Sequence, residues 1–338
     1  MGRGRPRDPG ELLLDDGVLG PATALEIGGW RGAEASGGTA VVPWRGDWLA
    51  ARAAGVSAVG AEEEIGDRLF GQAVVHLAKG RDATRQAVAV AWARLEPGGR
   101  LLLAGGNELG VKSAVRRLEV ELEQSAEVLV SRAHARVVRF ERRGPHDPAP
   151  PATREVQLEV GGDRFALSSA PGVFSADEVD PASRLLLEHL DRAPGTLIFD
   201  PGCGLGVLAL AALRGRPEAT AVLADADRRA VDAARANLAA LALGDRAEVH
   251  WWDATSEPPP LASCDVALVN PPFHGAGAAV DLAPARAIFA ALGRTLSPGG
   301  RALVVANLTL PYERELAALG RCERLEIRHG FKLLLVRR

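Results

Sequence analysis

Apolar residues recur along this chain in two alternating rhythms. The short runs Val74-Val75-His76-Leu77, Arg100–Ala104, Thr196–Phe199, Thr220–Leu223, Ala247–Trp252, Asp265–Val269 and Arg301–Ala306 have the length and β-branched content of buried strands. Between them lie stretches with helical spacing: Ala83–Leu95, Lys112–Glu123, Pro181–Arg192, Leu208–Leu213, Ala285–Leu296, and Arg228–Leu243 behind the N-cap Asp227. Two hairpins are signalled. Val156–Val160 and Arg164–Leu167 flank Gly161-Gly162-Asp163, and Arg324–Arg328 meets Phe331–Val336 at His329-Gly330. Strands alternating with helices and closed by a terminal hairpin predict an α/β fold, a doubly wound sheet with an antiparallel edge pair.

The alternation fails once. Arg143–Thr153 holds four prolines and no apolar pattern, which predicts a linker between a first domain over 11–142 and a second over 154–338. Residues 1–10, made of Gly, Arg and Pro without periodicity, are expected to be a disordered lead. The two domains echo each other. Leu95-Glu96-Pro97-Gly98-Gly99-Arg100 matches Leu296-Ser297-Pro298-Gly299-Gly300-Arg301 at an offset of 201, and Asn107 and Asn307 follow. The chain therefore reads as two tandem Rossmann-like copies, the first degenerate.

Composition adds bounds. At 338 residues, 47% hydrophobic and 25% charged, the chain suits two globular domains. A net charge of −3 gives no global support for nucleic-acid binding, so any such role needs local patches. Candidates are Arg116 and Arg117, and the run Arg132, Arg136, Arg139, Arg142, Arg143, opposed only by Glu141. Cys203, Cys264 and Cys322 are scattered and not at metal spacing, which predicts no metal site and a reducing cytoplasm. No apolar run reaches membrane-span length, and Met1–Arg7 lacks the apolar core of a secretion signal. A monomer is expected.

Chemistry concentrates in Asn270-Pro271-Pro272-Phe273-His274, directly after a strand. The prolines stiffen the turn and hold the Asn carboxamide and the Pro271 carbonyl in one orientation, with an aromatic ring nearby. This suits a planar molecule with an NH2 group. Asp200-Pro201-Gly202-Cys203-Gly204-Leu205-Gly206 joins a buried strand to a helix, where glycines admit a ligand to the backbone. Asp225 ends the next strand and suits ribose hydroxyls, and Asp253 follows the third strand, within reach of an adenine amino group. The set admits a dinucleotide or an adenosyl ligand. Asp200 favours the adenosyl ligand, since a carboxylate suits a cationic end and repels a pyrophosphate. In the first copy the nearest approach to this turn is Glu26-Ile27-Gly28-Gly29, so no second ligand site is expected.

With Asn270–Phe273 added to this sheet, residues 171–338 resemble the class I S-adenosylmethionine-dependent methyltransferases. They are more narrowly similar to the bacterial ribosomal RNA guanine-N2 methyltransferases of the RsmC and RlmG type. The residues that carry the likeness are Pro171-Gly172-Val173-Phe174-Ser175, Asp180, Asp200–Gly206 with Val207-Leu208, Asn270–His274, Ala306-Asn307, Leu310-Pro311-Tyr312 and Phe331-Lys332. The first half is similar at Gly106–Ala114, and Pro201 stands where a small aliphatic residue is usual. The resemblance implies S-adenosylmethionine as cofactor, held by Asp200, Gly202, Gly204, Gly206, Asp225, Asp253 and Asn270. It implies that Asn270 and Pro271 orient a guanine N2 amine of ribosomal RNA, chiefly 16S, while Phe273 stacks on the base. Phe174, His274, Arg132, Arg136 and Arg139 would contact the substrate. The alternatives are methylation of adenine N6 or a protein glutamine, and a non-catalytic RNA-binding assembly factor.

Overall fold

A seven-stranded sheet forms in each half of the chain, and the two sheets are threaded in the same order. The computed structural model describes residues 9–15, 17–143, 146–152, 154–160, 162–173, 178–272 and 281–338. Two units separate, Met1–Ala152 and Thr153–Arg338.

The first unit contains β1 (Ala24–Ile27), β2 (Thr39–Val41), β3 (Ser57–Val59), β4 (Phe70–His76), β5 (Leu95–Gly106), β6 (Glu127–Arg132) and β7 (Ala135–Glu141). Its helices are α1 (Pro9–Leu12), α2 (Arg31–Ser36), α3 (Arg45–Ala53), α4 (Arg81–Ala93) and α5 (Val111–Glu121). The sheet runs β3-β2-β1-β4-β5-β7-β6, parallel through β5 and antiparallel at the final pair. Val111, Val115 and Leu118 turn the spaced apolar face of α5 into the core with Trp92, Leu101 and Leu103. Residues 9 and 10 are not part of a structureless lead, because α1 brings Leu12 and Leu13 to complete burial.

The second unit opens with a separate hairpin, β8 (Arg154–Val160) and β9 (Asp163–Ser169). Then come α6 (Pro181–Leu187), β10 (Leu197–Pro201), α7 (Val207–Gly215), β11 (Thr220–Asp225), α8 (Arg228–Ala240), β12 (Ala247–Trp251) and β13 (Cys264–Val269). The unit closes with α9 (Ala283–Thr295), β14 (Leu296–Asn307), α10 (Tyr312–Leu316), β15 (Arg321–Arg328) and β16 (Phe331–Arg337). The sheet order is β12-β11-β10-β13-β14-β16-β15, the same permutation as in the first unit. The repeated Pro-Gly-Gly motif lies at the start of β5 and β14, strands of 12 residues that hold the same place in their sheets. These are two tandem Rossmann-like copies.

Two expectations change. The helix read over Pro181–Arg192 ends at Leu187, and a 3₁₀ turn over Leu190–Arg192 finishes the approach to Pro194. The stretch read as a linker is fastened at its middle to the first unit. Asp147 Oδ1 accepts from Trp92 Nε1 at 2.9 Å, and Ala149 bonds to Arg85 and Glu121. Prolines remove donors but leave carbonyls and side chains free to pair. Among the described residues, no helix is long and apolar enough to cross a membrane.

Candidate active site

The strand order of the second sheet reverses between β10 and β13, and a crevice for ligands opens at the carboxyl ends of strands that diverge in this way. Both signature loops leave the sheet there. After β10 the chain turns through Gly202, Gly204 and Gly206, each with positive φ (81°, 54° and 84°), a region that side-chain-bearing residues enter at a cost. A Cβ at Gly202 would sit 3.8 Å from Pro272 Cδ and 3.9 Å from the Asn270 carbonyl oxygen, so the glycine turn and the Asn-Pro-Pro loop lie side by side. A Cβ at Gly204 would project into open space. Pro201 is accommodated as the last residue of β10, opposite Ala224, and blocks nothing.

The acidic residues divide their work. Asp200 is completely buried, and its Oδ2 accepts from the Ala209 amide at 3.1 Å, capping the first turn of α7. Its Oδ1 is buried without a partner among the described residues. Burial pushes its pKa up to about 7. Asp225 ends β11 with one backbone donor on each oxygen, Gly204 N on Oδ2 and Asp227 N on Oδ1, both at 2.9 Å. Desolvation pushes its pKa up to about 6. Asp253 closes a turn, accepting from Thr255 and from the Ser256 hydroxyl.

Asn270 is held by Asp180, named above only as part of the resemblance, and by Ser183, which the sequence reading did not single out. Its Nδ2 donates to Asp180 Oδ2 at 2.7 Å and to Ser183 Oγ at 3.0 Å. A carboxylate only accepts, so the amide nitrogen must face Asp180, and Oδ1 is left as the acceptor. Among the described residues nothing donates to Oδ1. The Asp180–Ser183 pair is itself rigid, because Asp180 caps α6 through the Ser183 amide at 3.0 Å and Pro181 occupies the first helical position. The cap signal Asp-Pro-Ala-Ser was legible; its meeting with a residue 90 positions away was not. A second tie comes from buried Asn237, which bonds both backbone groups of Ser168 in β9 and the Leu205 carbonyl in the glycine turn. Buried Lys332 similarly reaches the Leu310 carbonyl and Glu313 at 2.7 Å, anchoring the segment after β14.

Phe174, Phe273 and His274 lie outside the described residues. The arginine run differs from its sequence reading, in which Glu141 alone opposed it. Antiparallel pairing of β6 with β7 sets Glu127 opposite Arg139, and the two form an ion pair. Arg132 pairs with Asp15 and Arg143 with Glu141, while Arg142 reaches the Leu95 carbonyl and Asp147. The Nε of Arg136 is buried without a partner among the described residues. Most of the run is thus spent inside its own unit.

The matching crevice of the first copy is filled. Strand registers place Glu26 where Asp200 stands, His76 where Asn270 stands, and Val42 where Asp225 stands. Glu26 is fully buried and caps α2 through Ala33 N at 2.7 Å, as Asp200 caps α7. Its other oxygen meets His76 Nε2 at 2.6 Å, and the imidazole lies over Gly29, where a Cβ would come within 2.4 Å of it.

Residues 164–335 match the family described as the methyltransferase small domain. The ribosomal RNA small subunit methyltransferase C of Stutzerimonas stutzeri is 33% identical over 268 residues, which cover 78% of each chain. The ribosomal RNA large subunit methyltransferase G of Shewanella amazonensis is 34% identical over 186 residues, 54% of this chain and 48% of that protein. A solved structure of a T. thermophilus 16S rRNA N2 methyltransferase (RsmC) in complex with AdoMet and guanosine has a TM-score of 0.85 at 27% identity. That match covers 98% of this chain and 92% of the other.

Proposed function

The chain belongs to the methyltransferase small domain family, and from that premise we propose that it methylates the exocyclic N2 amine of a guanine in ribosomal RNA, in the cytoplasm, with S-adenosylmethionine as donor. The observation that carries this reading is the locked carboxamide of Asn270. An exocyclic amine offers N–H bonds but has a lone pair delocalised into its ring. Asn270 Oδ1 and the Pro271 carbonyl would accept those N–H bonds, localise the pair on nitrogen and aim it. Orientation of this kind can contribute ~7–11 kcal/mol. The negative charge of Asp180 behind the amide strengthens Oδ1 as an acceptor and favours the positive charge that the amine nitrogen gains. Phe273 would stack on a base turned out of its helix or offered unpaired.

Bound S-adenosylmethionine supplies a methyl group already activated by its sulfonium. The crevice fits such a ligand in three ways. Each Asp225 oxygen accepts one backbone N–H and keeps capacity for a ribose hydroxyl. Asp200 Oδ1 is a buried acceptor in want of a donor, suited to the cationic end. Gly204 leaves open space above the turn. Asp253 would accept from the adenine amino group. The names of the relatives and the guanosine bound to the T. thermophilus enzyme favour guanine N2 over adenine N6 or glutamine. Transfer of labelled methyl to small-subunit rRNA, with nucleoside analysis, tests the reading. Label in N2-methylguanosine is expected; label only in N6-methyladenosine or protein, or none at all, refutes it.

A further inference from the structure

The first copy holds no donor crevice, yet one of its grooves is strongly basic. Residues of α4, β5 and α5, with Ala149, enclose about 440 Å³. Its floor is apolar, with Val88, Leu103 and Leu118 among the lining residues, and four arginines rim it: Arg81 and Arg85 from α4, Arg116 and Arg117 from α5. The one carboxylate among the lining residues, Glu121, accepts from the Ala149 amide at 3.0 Å. Arg85 is partly engaged by the Ala149 carbonyl. Among the described residues, Arg81, Arg116 and Arg117 form no ion pair.

The second copy supplies an internal control. The offset of 201 that aligns Leu95 with Leu296 also aligns Arg85 with Arg286 and Val88 with Phe289. Arg286 and Phe289 line the corresponding groove beside α10, and there Arg286 is neutralised by Glu315 at 2.8 Å. One architecture is therefore charge-balanced in the copy with the chemistry and basic in the copy without it. Folding does not call for the basic version, since like charges crowded over an apolar floor repel one another. A polyanion relieves that repulsion, and guanidinium forks match phosphate oxygens in pairs. Among the described residues no aromatic side chain lines the groove, so contact with backbone phosphates fits it and base stacking does not.

We propose that this groove docks a phosphodiester stretch of the RNA substrate, gripped by Arg81, Arg116 and Arg117. The inference rests on the rRNA reading above. Its test uses the full chain with naked small-subunit rRNA. Binding is followed by anisotropy against salt, and methylation is measured in parallel. In Arg81→Ala/Arg116→Ala/Arg117→Ala the slope of log K against log salt should fall by about 2, at ~0.7–0.9 per lost contact. KM for rRNA should rise at least tenfold, with kcat and donor affinity kept. All three residues are exposed, so the fold should survive, which a melting curve checks. Lysine at the same positions should restore most of the slope, because it keeps the charge. An unchanged slope and KM overturns the proposal. So does a variant that keeps rRNA binding but loses wild-type binding to polyglutamate, which would make the groove a site for an acidic protein. A wild-type chain that neither binds nor methylates rRNA defeats the functional reading together with the groove, whereas methylation with unaltered variants defeats the groove alone.

Discussion

At the scale of single residues, the crevice is built by pairs that hold one another in place. Asn270 illustrates this, since its amide would be free to flip without Asp180 and Ser183. In Asn270→Ala the prolines keep the turn, so donor affinity should hold while kcat falls by ~10²–10³, the cost of one positioned polar group that matters most in the transition state. Single-turnover methylation of rRNA checks this, and a wild-type rate would leave the loop only structural. Asp180→Asn keeps the shape but removes the charge and the obligatory acceptor, so it should lower kcat by at least tenfold with KM little changed. Ser183→Ala should do less, because the Asp180 bond remains. Asp225 makes a prediction about pH. Its pKa is raised to about 6, and the ionised form is the one that accepts from hydroxyls. Donor affinity should therefore be full above that pH and fall as pH drops through 6, by at most ~10-fold per unit. Calorimetric titration between pH 5 and 8 measures it. Asp225→Asn should bind weakly and almost independently of pH; a variant that retained the wild-type profile would place the titration elsewhere.

At the scale of elements, Asn237 joins three parts of the second unit: the β8–β9 hairpin, the glycine turn and α8. Asn237→Ala leaves the buried Leu205 carbonyl unpaired, at about 1–3 kcal/mol, and also frees the part-buried backbone groups of Ser168. Urea unfolding should show that loss together with weaker donor binding, since the turn carrying Gly204 and Gly206 loses its tie. The same elements in the first unit are arranged against a ligand. His76 lies over the turn that would be the cradle, and buried Val42 replaces the ribose acceptor. Calorimetry should give one donor per chain, and His76→Ala should not create a second site, because Val42 offers no acceptor. A stoichiometry of two would contradict this account.

At the scale of the whole molecule, each unit closes its own core. Val266, Leu268 and Leu303 centre one, and Val75, Leu101 and Leu103 the other. Residues 153–338 made alone should therefore fold and bind donor with near-native affinity. Without the first copy they should lose methylation of rRNA by at least tenfold. Full activity of that fragment would show that the first copy is dispensable for substrate.

The sequence by itself determined the tandem α/β fold, the glycine turn, Asp225 and the Asn-Pro-Pro loop. These are local: strand periodicity, glycine freedom and proline stiffness act within a few residues. The strands β1 to β3, of three or four residues, and the helices α2 and α3, which bury only Gly32, Ala33 and Ala51, were not legible, because so few buried positions make no pattern. Only the tertiary structure decided which groups meet. It brought Asp180 to Asn270, closed Glu26 against His76, and paired Glu127 with Arg139 through strand register. It also left Arg81, Arg116 and Arg117 around one groove. Such partners are tens of residues apart or joined by sheet order, and a charge or a carboxamide carries no local mark of the group that will face it. Periodicity fixes which side of an element is buried, whereas partnership is fixed only when the sheet assembles and every buried polar atom must find a donor or an acceptor.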